Sequence, residues 1–173
     1  VFAANLYSAA FKCNDPAKVI DMALEPIPSE STFYQCIDDV RKFHKQNPKD
    51  WKECWWEINK KWNKDVGCPK GVFLNFNIDA KINAAFIAIG LLYGEDDFGK
   101  SLCIAVNCGE DSDCSAATLG ALLGIMLGYD KLPEKWLEPI GGKISTMCID
   151  ISKTDFIGKI PATVGELTER VIR

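Results

Sequence analysis

Asn107-Cys108-Gly109-Glu110-Asp111-Ser112-Asp113-Cys114, running on through Ser115-Ala116-Ala117-Thr118-Leu119-Gly120-Ala121-Leu122-Leu123-Gly124-Ile125-Met126-Leu127-Gly128, is the stretch from which the fold is read. Its second part is apolar and small, and predicts a helix from about Asp113 to Leu127. Ala116, Gly120, Gly124 and Gly128 recur every four residues, so they form a smooth face that would let another backbone approach closely. Its first part is a turn. Asp111 and Asp113 would diverge by roughly 200° in a regular helix. In a turn that leads into a helix both carboxylates can meet at one point, and Gly109 permits such a turn. Two hard oxygen donors suit Mg²⁺, Mn²⁺ or Ca²⁺ better than Zn²⁺. The competing reading is that one Asp caps the helix and the other is solvated. An EF-hand is excluded, because counting from Asp111 the sixth and twelfth positions are Ala116 and Leu122 instead of Gly and Glu.

Working outward, residues 78–93 are apolar almost all round, which predicts a buried helix ended by Gly94. Asp96 or Asp97 starts the next helix, with Phe98, Leu102, Ala105 and Val106 facing inward. Upstream, residues 1–12 read as a packed helix, and Asp15-Pro16 starts another with Val19, Ile20, Ala23 and Leu24 on one face. Pro26 and Pro28 stop it. Phe33, Cys36, Ile37, Val40 and Phe43 form the stripe of a third helix that ends before Asn47-Pro48. Asp50 and Glu53 resemble a capping box for a fourth, whose stripe is Trp51, Trp55, Ile58 and Trp62. Residues 65–77 are loop-like. Downstream, Pro133 opens a short helix through Leu137. Ile144, Ile149 and Ile151 fit a short strand or an extended tail, and Thr163 with Glu166 would cap a terminal helix. The fold expected is all-α, a multi-helical array with little or no sheet, as a single domain over 1–173 in which 141–173 is a C-terminal extension.

Composition bounds the function. The chain has 173 residues, a hydrophobic fraction of 47%, a charged fraction of 25% and a net charge of −4, as expected of a soluble globular chain and not of a nucleic-acid binder. Lys60, Lys61 and Lys64 do lie among Trp51, Trp55, Trp56 and Trp62. The helical spacing makes these a Lys face and a Trp face, in preference to base-stacking rings. The longest apolar run, from Ala116 to Leu127, is too short to span a membrane. The N-terminus shows no basic n-region of a signal peptide and no initiator Met, so the chain reads as a processed or truncated product. Its location is left open, with the cytoplasm preferred. None of the eight cysteines is spaced CxxC, which argues against a zinc ribbon. Most should pack as small hydrophobes, with Cys54–Cys68 a conceivable disulfide. The single histidine, His44, reads as a surface residue.

The turn and its flanks carry a resemblance. Leu91-Leu92-Tyr93-Gly94-Glu95-Asp96-Asp97-Phe98, then Cys108-Gly109-Glu110-Asp111-Ser112-Asp113-Cys114, then the Ala/Gly helix and Leu132-Pro133-Glu134-Lys135-Trp136, resemble the ADP-ribosylglycohydrolase family, which includes the glycohydrolase that reactivates dinitrogenase reductase. Looser likeness is visible in Ala9-Ala10-Phe11, Asp15-Pro16, Leu24, Ile27-Pro28 and Ser31. The family's signature is Gly-x-Asp-x-Asp-Thr. The resemblance implies an all-α fold with two Mg²⁺ ions (Mn²⁺ an alternative), Asp111 and Asp113 as ligands, and Cys114 at the Thr position. It also implies Gly109, Glu110, Asn77 and Asn83 near the substrate. Read from the residues alone, Asn77 would be a helix cap and Asn83 a buried polar contact.

The function implied is hydrolysis of ADP-ribosyl glycosidic bonds in an ADP-ribosylated protein or related conjugate. A general base is not identified within this segment. The start of the glycine-faced helix could present N–H groups to a diphosphate. A second ligand motif of the family, Thr-Asp-Asp, is not found here. Asp38-Asp39 lies mid-helix and Asp96-Asp97 reads as a cap. The chain would then be the C-terminal portion, carrying half of a two-metal site and inactive until joined by the missing N-terminal half. The alternative is an ADP-ribose-binding module or pseudoenzyme.

Overall fold

The computed structural model describes residues 1–63, 78–144 and 163–172. They form nine α-helices and one short 3₁₀ turn, and among the described residues there is no β-strand. The chain divides into two compact units, Val1–Leu132 and Pro133–Arg173, a boundary that falls before the extension expected from 141.

The first unit is built around α5 (Ala80–Tyr93), in which every residue from Ile82 to Tyr93 is buried. Such a helix must be surrounded. Helix α3 (Thr32–Gln46), α4 (Trp51–Trp62), α6 (Phe98–Asn107), α7 (Ser112–Leu127) and α2 (Pro16–Leu24) all pack on it, and α1 (Phe2–Ala10) packs on α2 and α7. The surrounding helices place Leu6, Ile20, Leu24, Ile37, Val40, Ile104, Leu119 and Leu122 in one core with α5. Burial of such side chains stabilises by about 1.5–3 kcal/mol each. None of the described helices is long and apolar enough to cross a membrane.

The helix starts follow the capping chemistry of the sequence. Asp15 accepts from the N–H groups of Ala17 and Lys18 at 3.0 and 3.3 Å. Ser31, Asp50, Asp79 and Asp97 cap α3, α4, α5 and α6 in the same way. Asp79 thus fills the cap that Asn77 was read as filling, and Asn77 itself lies outside the described residues. The Asp50–Glu53 box is only half made, since the Glu53 carboxylate accepts from Asn47 Nδ2 at 2.8 Å and not from the cap backbone. Two lysines of the Trp-rich helix are paired: Lys60 with Glu57, and Lys61 with Asp39 of α3 at 2.7 Å. Asp38 pairs with Arg41 and Lys42.

Three expectations are corrected. The small-residue face of α7 is not a close helix contact: a side chain added at Gly124 or Gly128 would meet nothing within 4 Å among the described residues. Close approach happens at Gly90 of α5, where a Cβ would lie 2.7 Å from Leu119 Cδ2 and 3.0 Å from the Ser101 carbonyl oxygen. Val106 is 47% exposed instead of facing inward, because the stripe of α6 runs through Ser101, Ile104 and Ala105. His44 is half-buried and set edge-to-face on Tyr93, with ring centroids 4.7 Å apart, and this desolvation lowers its pKa.

Cys36, Cys54 and Cys108 are buried free thiols, and burial pushes Cys36 and Cys54 up to about 12. Cys68, the other member of the conceivable disulfide, lies outside the described residues, as do Lys64, Ile149 and Ile151.

The second unit contains the short helix α8 (Glu134–Leu137) and the terminal α9 (Val164–Ile172). Lys143 and Thr163 form an isolated antiparallel bridge, and the Thr163 hydroxyl caps α9 by accepting from the Glu166 N–H at 3.2 Å.

Candidate metal centre

The link between α6 and α7 is a left-handed turn. Gly109 has φ +86° and Glu110 has φ +57°. Glycine adopts this region freely, whereas at Glu110 it costs about 1–2 kcal/mol. Three hydrogen bonds from two other helices hold the turn in place. Trp55 Nε1 on α4 donates to the Cys108 carbonyl at 2.8 Å, and Asn63 Nδ2, just past α4, donates to Glu110 Oε1 at 3.0 Å. On α5, Asn83 Oδ1 accepts from the Asp111 N–H at 3.2 Å. Asn83 is itself fixed, because its Nδ2 donates to the Asp79 carbonyl at 3.0 Å.

This setting places Asp111 at the N-cap of α7 with φ −77° and ψ 62°, and its side chain makes no capping hydrogen bond. The carboxylate therefore does not serve the helix it precedes. Asp113 lies exposed in the first turn, next to the exposed Cys114. One carboxylate oxygen from each Asp and Cys114 Sγ all lie within 4.8 Å of one another. The two Asp side chains converge, as the turn reading expects, and the reading in which one of them caps α7 does not hold. The Asp111 carboxylate beside it raises the pKa of the Cys114 thiol.

A cleft of about 580 Å³ opens beside this cluster, within the range of small-molecule sites. Phe2 and Leu6 of α1, Ile27, Phe33, and Ala84 and Ile87 of α5 make its walls apolar, while Asn83, Cys114, Ser115 and Thr118 give it a polar edge. Ser115 is 1% exposed, and its hydroxyl has no hydrogen-bond partner among the described residues. That hydroxyl is a buried polar group left unsatisfied by the described residues.

Of the residues singled out from sequence, Asp111, Asp113 and Cys114 come together, and Asn83 touches both the turn and the cleft. Gly109 and Glu110 shape the turn but do not line the cleft, and Asn77 is outside the described residues. Sequence reasoning missed Trp55 and Asn63 as supports and Ser115 as a cleft residue.

A helical shell around one buried helix, with a carboxylate pair at a helix start whose neighbour Cys114 lines a cleft, defines the class: an all-α protein with a candidate ligand site. A model of the ADP-ribosylglycohydrolase family matches residues 1–161, and the chain belongs to that family. It is also similar to the ADP-ribosylarginine hydrolase Tri1 of Serratia proteamaculans (strain 568), with 34% identity over 53 residues. That match covers 31% of this chain and 14% of the length of Tri1. No solved structure matches.

Proposed function

We propose that this chain carries one side of a divalent-cation centre in an enzyme that hydrolyses ADP-ribosyl glycosidic bonds. The observation that carries the reading is the Asp111 carboxylate: it stands at a helix start, does not cap that helix, and converges with Asp113 within a family match over residues 1–161. The donor set fits in part. Two carboxylates suit Mg²⁺ or Mn²⁺, whereas a thiol at the family's hydroxyl position does not. When bound, the cation supplies Lewis-acid orientation of the ribose hydroxyls and a water against an oxocarbenium-like transition state.

The residues of this chain then have defined tasks. Asp111 and Asp113 hold the cation and move no proton. Asn83 fixes the Asp111 backbone, and Gly109 with Glu110 sets the approach of the turn. The apolar cleft receives a flat, apolar part of the ligand and excludes water from it. The first turn of α7 offers backbone N–H groups to a diphosphate. A second ligand set and any general base come from an N-terminal half of the same protein, and the substrate is an ADP-ribosylated protein or related conjugate. The similarity to an ADP-ribosylarginine hydrolase supports an arginine linkage.

Cys114, together with the lack of a Thr-Asp-Asp sequence in the chain, favours one rival: a module that binds ADP-ribose without cleaving it. Calorimetry with Mg²⁺ and ADP-ribose, followed by turnover assays on this chain joined to an N-terminal half, tests both. Release of ADP-ribose from a conjugate supports the hydrolase. Binding with no release supports the rival, and no binding of either ligand refutes both.

A further inference from the structure

We propose that Cys114 makes this centre select a thiophilic divalent cation, of the Zn²⁺ or Co²⁺ class, over Mg²⁺. The inference rests on the reading of Asp111 and Asp113 as cation ligands, and concerns which ion they hold.

Sγ of Cys114 is part of the same cluster as the two carboxylates, with all three donor atoms within 4.8 Å of one another. Two donors bound at about 2.0–2.3 Å from one ion are separated by no more than about 4.5 Å. That limit holds for donors on opposite sides of the ion, and donors of a tetrahedral sphere stand about 3.3–3.8 Å apart. The three must therefore draw closer on binding, which the exposed side chains of Asp113 and Cys114 allow by rotation. A third donor that is sulfur changes the chemistry. Mg²⁺ demands near-ideal octahedral oxygen ligation and keeps its waters. Thiolate ligands favour Zn²⁺ and its borderline neighbours. As the ion enters, the Sγ–H bond is exchanged for an Sγ–metal bond and the proton leaves to solvent. The other cysteines of the described residues are differently placed. Cys36, Cys54 and Cys108 are buried, and Cys13 and Cys103 belong to no comparable cluster.

The test is a Co²⁺ titration of the reduced 173-residue chain, followed by near-ultraviolet absorption, where cobalt bound to thiolate shows a sulfur-to-metal charge-transfer band. Cys114→Thr, Cys103→Ser and the double Asp111→Asn, Asp113→Asn variant are run beside it, with far-ultraviolet circular dichroism as the folding check. The expected result is a band in the parent chain and in Cys103→Ser that is absent in Cys114→Thr. Zn²⁺ should displace Co²⁺ while Mg²⁺ in about hundredfold excess does not, and in Cys114→Thr the Zn²⁺-over-Mg²⁺ preference should fall at least about tenfold. Co²⁺ bound without the band, or an unchanged preference in Cys114→Thr, overturns the selectivity and leaves the carboxylate centre standing. A folded, reduced chain that binds none of these cations overturns both.

Discussion

Helices α6 and α7 are entered in nearly the same way. Before α6 the chain passes through Glu95 and Asp96, with φ of +54° and +61°, to Asp97. Before α7 it passes through Gly109 and Glu110, with φ of +86° and +57°, to Asp111. The aspartates then diverge. Asp97 has ψ 116°, in the extended region, and its carboxylate accepts from the Lys100 N–H at 2.6 Å. Asp111 has ψ 62°, its own N–H is held by Asn83, and its carboxylate makes no cap. The same residue type at the same helix position is thus a cap in one place and free of that task in the other. The difference comes from a tether on a neighbouring helix and not from the local sequence.

The comparison can be broken by experiment. Replacing Asp111 and Asp113 together by Asn should weaken Mg²⁺ or Mn²⁺ binding by about a hundredfold or more in calorimetry, because the charge count of the ligands sets affinity. Asp97→Asn should leave that affinity unchanged. Asn83→Leu removes the acceptor for the Asp111 N–H in a buried setting. It should lower stability by about 1–3 kcal/mol in urea unfolding and weaken cation binding as well. A purely structural Asn83 would show only the first effect. Gly90→Ala should destabilise by about 1–3 kcal/mol through overpacking against Leu119, whereas Gly124→Ala should stabilise by up to about 1 kcal/mol. Asp97→Ala should cost about 1 kcal/mol and Asp111→Ala clearly less, since only the first loses a cap.

The smallest effect is expected at His44. Its pKa is lowered in the fold by desolvation, so the unfolded chain takes up the proton first as pH falls. Stability from this residue is complete above its unfolded value, near 6.5, and declines as pH drops below it towards the lower folded value. His44→Gln should flatten that decline in pH-dependent thermal unfolding.

Much of this molecule was legible as sequence, for physical reasons that can be named. Helix spans and stripes such as Phe33-Cys36-Ile37-Val40 follow from spacing, and the caps at Asp15, Asp97 and Thr163 follow from local chemistry that needs no knowledge of neighbours. The Asp111–Asp113 convergence was legible as one of two outcomes. Choosing between them required Asn83, which is 28 residues away in sequence. The ties from Trp55 to Cys108 and from Asn63 to Glu110 span 53 and 47 residues, and no periodicity encodes them. The glycine repeat of α7 failed as a guide for a related reason. Spacing shows that a face is smooth, but not what lies against it. The cleft was invisible because its walls come from α1, α3, α5, α7 and the segment between α2 and α3.

Paramagnetic broadening by Mn²⁺, read residue by residue in the amide NMR spectrum of the chain, tests the central claim most directly. The account predicts that, at the lowest Mn²⁺ additions, signals of residues 109–115 and the Asn83 side-chain amide disappear first, while those around Asp97 persist. Equal loss around Asp97, or broadening spread over the surface acids with no focus at the start of α7, would contradict it.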